Sequence, residues 1–94
     1  MVRNGRPLIL NRSRDLIPGD SIYIGRPSKW GNPYVMRHEL ERALCLRNFR
    51  MHLERNPRLV AEARKELMGA SAWTCWCAPL PCHGDIWMEV LYGD

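Results

Sequence analysis

The alternation of apolar and polar positions divides the chain into three short runs suited to strands and three stretches suited to helices. Pro7 to Asn11, P-L-I-L-N, is a brief apolar run that reads as an edge strand, and Pro18-Gly19-Asp20 then signals a turn. Ser21 to Ile24 is β-branched and aromatic between turn residues, which predicts a second strand. Residues 25–33, G-R-P-S-K-W-G-N-P, carry too much glycine and proline for regular structure. From about His38 to Arg55 the period becomes helical, with Leu40, Ala43 and Leu44 on one side, continued by Phe49 and Leu53. Cys45 falls within that pattern as a packed residue, and His38 and His52 read as surface positions. Asn56-Pro57 reads as an N-cap followed by proline at the first helical position, so a second helix follows. Leu59, Val60, Ala63 and Leu67 form its stripe, and Gly69 is a natural stop.

Ser71 to Cys77, S-A-W-T-C-W-C, has no charge and is rich in aromatic and small residues, as a strand covered on both faces should be. It is the expected central strand. After A-P-L-P, a last helix is predicted from the spacing of Ile86, Val90 and Leu91, with Asp85 placed in its first turn where the helix dipole favours an anion. The pattern predicts one small α/β domain over residues 1–94: a short, partly parallel sheet, a helical hairpin as crossover and a C-terminal helix. Ninety-four residues leave no room for a second core.

Topology carries the functional expectation. If the strands at 21–24 and 72–77 are parallel neighbours joined by a right-handed crossover, both end on one edge of the sheet and the loops after them meet. Ligands of open α/β sheets bind at that edge. The first loop brings Arg26 and Lys29 as cations and Trp30 as a stacking surface. Ser28, Gly31 and Asn32 add polar groups and close backbone approach, a combination suited to an anionic small molecule of nucleotide type or to nucleic acid. The competing reading makes Trp30 a core plug and leaves the cations in solvent.

Charge and composition add to this picture. Residues 1–69 hold all 14 Lys and Arg and are net +7, whereas residues 70–94 are net −3. Arginine outnumbers lysine 12 to 2, and its planar fork suits phosphate or carboxylate. An anionic partner fits this balance, as does a solvated basic surface. The apolar run near the N-terminus is only three residues long, so no signal peptide or membrane span is expected, and a cytoplasmic setting follows. A homodimer would enlarge the modest core.

The second loop, C-A-P-L-P-C-H-G-D, concentrates reactive groups. Cys82 at a helix N-terminus beside His83, with Asp85 in the first turn, is a candidate nucleophile and acid–base set. Cys75, Cys77, Cys82 and His83 could alternatively converge on zinc, the one cofactor these residues suggest, although C-x-C-x4-C-H is not a familiar zinc spacing. A Cys77–Cys82 disulfide is a further alternative, and simple packing of the thiols is another. Phosphatase-like chemistry is disfavoured because Pro79 and Pro81 remove amide donors and no arginine follows the cysteine.

The segments Y-I-G-R-P-S-K-W-G-N-P-Y and C-W-C-A-P-L-P-C-H-G-D, joined by a helical stretch and followed by a short helix, resemble a small bacterial and phage family, DUF4326. The resemblance spans essentially the whole chain, with Trp87 and Met88 where smaller aliphatic residues would be usual. It implies an α/β domain and no particular activity. The cysteine motif is also similar to a strand-loop-helix ending in C-H-R in a second group with a fold like that of nucleoside-processing proteins, but Gly84 stands where that arginine would be. By analogy of fold, this second similarity implies a nucleotide as the ligand class.

Overall fold

The computed structural model describes residues 6–78 and 80–93. Three parallel strands, β1 (Leu8–Asn11), β2 (Ile22–Tyr23) and β3 (Ala72–Cys75), form a sheet in the order β1-β3-β2. Between β2 and β3 run a 3₁₀ turn (Glu39–Glu41) and two helices, α1 (Arg42–Glu54) and α2 (Pro57–Glu66), and α3 (His83–Tyr92) closes the fold. The chain is thus the small α/β domain that the pattern predicts, with its most apolar segment at the centre.

β3 is central because it alone can lose solvent on every side. All four of its residues are buried. Leu8 pairs with Ala72 and Asn11 with Cys75 on one flank, and Ile22 with Trp73 and Tyr23 with Thr74 on the other. Side chains alternate across a sheet, so Trp73 and Cys75 enter the helix-covered core while Thr74 faces the other side, where Arg12 Nη1 donates to its hydroxyl at 3.2 Å. The strands are shorter than expected. β2 is two residues long, although the Ile24 N–H continues the bonding to the Thr74 carbonyl at 3.0 Å. β3 ends at Cys75, and Trp76 and Cys77 belong to the loop.

The aromatic residues join the layers. Trp87 from α3 packs edge-on against Phe49 of α1 and against Trp30, with ring centroids 5.9 and 5.7 Å apart. Trp73 donates from Nε1 to the Leu67 carbonyl at 2.9 Å, so no buried indole N–H is left bare in this contact. Arg50 of α1 forms an ion pair with Glu89 of α3 at the surface.

Two sequence expectations about the helices are corrected. Leu40 and Leu44 are 89% and 51% exposed, while Phe49 and Leu53 are buried. At about 3.6 residues per turn, Phe49 lies half a turn away from the side of Leu40, so one stripe cannot hold both. The buried stripe instead runs through Leu46, Phe49 and Leu53. Asn56 precedes α2 as expected, but its side chain does not cap that helix: Nδ2 donates back to the His52 carbonyl at 2.6 Å. Gly69 follows α2 with φ of +98°, the left-handed conformation in which glycine carries no steric penalty.

Candidate functional site

The loops after β2 and β3 meet at the carboxyl edge of the sheet. Between them lies a cavity of about 320 Å³, bounded by Tyr23, Gly25, Arg26, Asn32 and Tyr34 on one side and by Cys75, Trp76, Cys77, Cys82 and His83 on the other. Met36, Arg42, Cys45 and Leu46 complete the wall, so all four cysteines of the chain border one space. The size is that of a small-molecule site, and no Asp or Glu is among these lining residues.

The cysteine loop is held from β1. Asn11, 6% exposed, donates from Nδ2 to the carbonyls of Trp76 at 3.0 Å and Ala78 at 2.9 Å. Its Oδ1 accepts from the Ser13 N–H at 2.8 Å and the Ser13 hydroxyl at 2.7 Å. One buried amide therefore uses both its ends and fixes the path of residues 76–78. The sequence offers a signal for this in the polar residue closing an otherwise apolar strand, but the sequence reading assigned it no role.

On the helix side, α3 begins as expected, with Cys82 as N-cap and His83 as first residue. The Asp85 carboxylate accepts the Cys82 N–H at 2.9 Å, the reciprocal bond of a capping box. Gly84 lies flat on the sheet: a Cβ there would stand 3.1 Å from Ile24 Cδ1 and 3.3 Å from Ile9. An arginine at this position, as in a C-H-R motif, would have to displace both side chains. The glycine therefore lets this helix and the sheet approach closely without pressing on those two side chains.

The His83 ring reaches the Ile24 carbonyl with Nε2 at 2.6 Å and packs against Phe49 with centroids 5.6 Å apart. A carbonyl only accepts, so Nε2 carries the proton and Nδ1 keeps a lone pair in the neutral ring. Burial is the main cause that holds the imidazole below its ordinary value, with the charge of Arg26 acting the same way, so the neutral form prevails at pH 7.

Below His83, the sulfurs of Cys82 and Cys75 stand 3.8 Å apart. Both residues are buried, at 2% and 1% exposure, and all four cysteines are free thiols. The Cys82 S–H bond to Cys75, aided by backbone N–H groups of Ala78 and Cys77, draws the Cys75 thiol down to about 6. The same neighbour and burial push Cys82 upward, so Cys75 is the member of the pair that ionises. The alternative bridge from Cys77 to Cys82 is not the contact formed. Among the described residues, no group of three or more His, Cys, Asp or Glu side chains is placed to hold a metal ion. The set Cys75, Cys77, Cys82 and His83 therefore does not assemble as the zinc alternative requires: Cys82 turns to Cys75 and His83 to a carbonyl.

The first loop divides between pocket and scaffold. Arg26 and Asn32 line the cavity. Asn32 donates from Nδ2 to the Cys45 carbonyl at 3.2 Å and accepts the Tyr34 N–H at 2.9 Å, tying the loop to α1. Ser28 bonds the Gly25 carbonyl from its hydroxyl at 2.5 Å, and Gly31 donates its N–H to the Ser28 carbonyl at 3.0 Å, so both shape the turn. Lys29 leaves the pocket and lies between Glu62 and Glu66 of α2, 3.0 Å from each. Trp30 is 5% exposed and gives its carbonyl to Trp87 Nε1 at 2.9 Å. It is the core plug, not a free stacking face.

Further aromatic and cationic side chains, which the sequence pattern does not single out, border the pocket. Trp76 is 58% exposed and Tyr34 42%, so both offer aromatic surface at the rim. Trp76 is oriented by a bond from Nε1 to the Tyr23 hydroxyl at 3.0 Å. Arg42 opens α1 at the pocket wall and donates from Nη1 to the Pro81 carbonyl at 2.5 Å. Its bond to Glu39, with a lesser one to the Cys77 sulfur, holds the guanidinium above its ordinary value and so firmly charged. In the sequence Arg42 is one of many arginines on a helix, and only the tertiary fold distinguishes it.

The geometry defines a small α/β domain with a cysteine-bordered pocket at the carboxyl ends of two parallel strands. The chain belongs to the family described as Domain of unknown function (DUF4326), whose family model matches residues 9–93. No curated protein matches the chain, and no solved structure does. No helix among the described residues is long and apolar enough to cross a membrane.

Proposed function

We propose that the domain binds a nucleotide-like anion in the pocket at the carboxyl edge of β2 and β3. The observation that carries this reading is the pairing of two guanidinium groups, Arg26 and Arg42, with exposed aromatic surface in a cavity whose lining residues include no carboxylate. Arg26 has no ion-pair partner among the described residues and is the freer of the two to meet a phosphate. Trp76 and Tyr34 take the stacking role that Trp30 cannot fill.

Within this reading His83 is the group suited to accept a proton, because it is neutral and keeps the Nδ1 lone pair. Asp85 is engaged in capping α3 and Cys82 in its bond to Cys75, so neither is free to act without a rearrangement. The test is titration calorimetry with nucleoside mono-, di- and triphosphates and the parent nucleosides at low salt. Phosphate-dependent binding that quenches tryptophan fluorescence, and that is lost in Trp76→Ala, supports the reading. Absence of binding by all of them at millimolar concentration overturns it.

A further inference from the structure

The pocket contains a pair of groups that ligand binding does not require. Cys75 closes β3 and Cys82 begins α3, and their sulfurs meet at 3.8 Å at a place where both residues border the cavity. We propose that Cys75 and Cys82 form a redox-active dithiol that undergoes reversible two-electron exchange with low-molecular-weight disulfides entering through the pocket. Both sulfurs are already in contact, so a disulfide of about 2.0 Å needs only a local approach of the two side chains. The anchors on either side are firm: Cys75 is held by pairing to Asn11, and Cys82 by the Asp85 cap.

The exchange has two steps. The Cys75 thiolate attacks one sulfur of the small disulfide RSSR, forming a Cys75–SR mixed disulfide and releasing RS⁻. Cys82 then attacks the Cys75 sulfur, the Cys75–Cys82 bond forms, and the second RS⁻ leaves while the Cys82 proton passes to solvent. The chain loses two electrons and RSSR becomes two thiols. Cys75 is the attacking member because its neighbours favour its thiolate, with the Cys82 S–H first among them. This assignment is independent of the nucleotide reading: a pocket that binds no nucleotide leaves it intact.

The test starts from a variant carrying Cys45→Ser and Cys77→Ser, which retains only the proposed pair. After treatment of the folded protein with oxidised glutathione, both remaining thiols should become unreactive to alkylation. The intact mass should fall by two hydrogens with no glutathione retained, and dithiothreitol should restore both thiols. Adding Cys82→Ser, which keeps a hydroxyl donor beside Cys75 but cannot resolve the mixed disulfide, should trap one glutathione on Cys75. Persistence of both thiols, retention of glutathione by the two-cysteine variant, or disulfide-linked dimers would overturn the assignment.

Wild-type protein supplies the same test should the serine variant not fold. No Lys or Arg follows Lys65, so trypsin leaves Cys75, Cys77 and Cys82 in one peptide. Fragment ions of the oxidised peptide should be missing between residues 75 and 82, whereas a bond involving Cys77 would refute the pairing.

Discussion

The side-chain amide of Asn11 bridges β1 to the cysteine loop, donating to the carbonyls of both Trp76 and Ala78. Asn11→Leu would leave these two carbonyls without that donor in a buried setting. A loss of about 2–4 kcal/mol is expected, since a buried polar group left unsatisfied costs roughly 1–3 kcal/mol. Urea denaturation measures it, and faster alkylation of Cys75 in native conditions should accompany it.

The two loop tryptophans, Trp30 in the core and Trp76 at the pocket rim, should separate cleanly. Trp30→Ala removes a buried ring packed on Trp87, and about 3–5 kcal/mol of stability should go with it. Trp76→Ala should change the denaturation midpoint little while weakening nucleotide binding at least tenfold, about 1.4 kcal/mol. Equal loss of stability in both variants would show that Trp76 belongs to the scaffold.

Arg26 and Lys29 offer a second contrast within one loop. Arg26→Gln should raise the dissociation constant for a nucleotide by about tenfold to a hundredfold, the range of a charge-assisted hydrogen bond. Lys29→Gln should leave that constant unchanged, because Lys29 is engaged with Glu62 and Glu66. Titration calorimetry on both variants decides the matter.

His83 predicts the direction of a pH effect. Its folded value lies below the ordinary 6.5, so the unfolded chain binds the extra proton first. Stability from this group is complete above 6.5 and declines as pH falls towards the folded value. The melting temperature of wild type should therefore drop over that interval, and His83→Gln should flatten the drop. A wild-type melting temperature that rises on acidification below 6.5 would contradict the assignment.

Gly84 tests the helix–sheet contact. Gly84→Ala gains up to about 1 kcal/mol in helix propensity but presses a methyl group against Ile24 and Ile9, an overpacking that costs typically 1–3 kcal/mol. A net loss of about 1 kcal/mol in urea denaturation is expected. Gly84→Arg should not yield a cooperatively folded chain.

Much of the fold was legible because local signals and burial agree. The uncharged run at 71–77 is the central strand, trimmed to 72–75, and Cys82 falls at a true helix boundary, while Gly69 stands in the turn three residues past the end of α2. The meeting of the two loops was legible from topology, because parallel strands must end on one edge. Individual roles were harder to read. Trp30 and Trp76 are the same residue type in neighbouring loops, and only packing buries the first against Trp87 and leaves the second at the rim. Leu40 and Leu44 kept a plausible helical spacing yet face solvent, since the phase of α1 is set by Phe49 and Leu53. The proposed sulfur pair was hidden as well: the strand stops at Cys75, and it is this terminal sulfur that meets Cys82.

The order β1-β3-β2 also has a consequence in time. Among the described residues, each of the first two strands finds its only sheet partner in β3, with Leu8 paired to Ala72 and Ile22 to Trp73. During synthesis β1 and β2 must wait, unpaired with each other, until β3 has emerged. Contacts so distant in sequence slow folding, and they tie formation of the sheet to the emergence of β3. A nascent chain stalled after α2 would hold helices but no sheet, and hence no pocket.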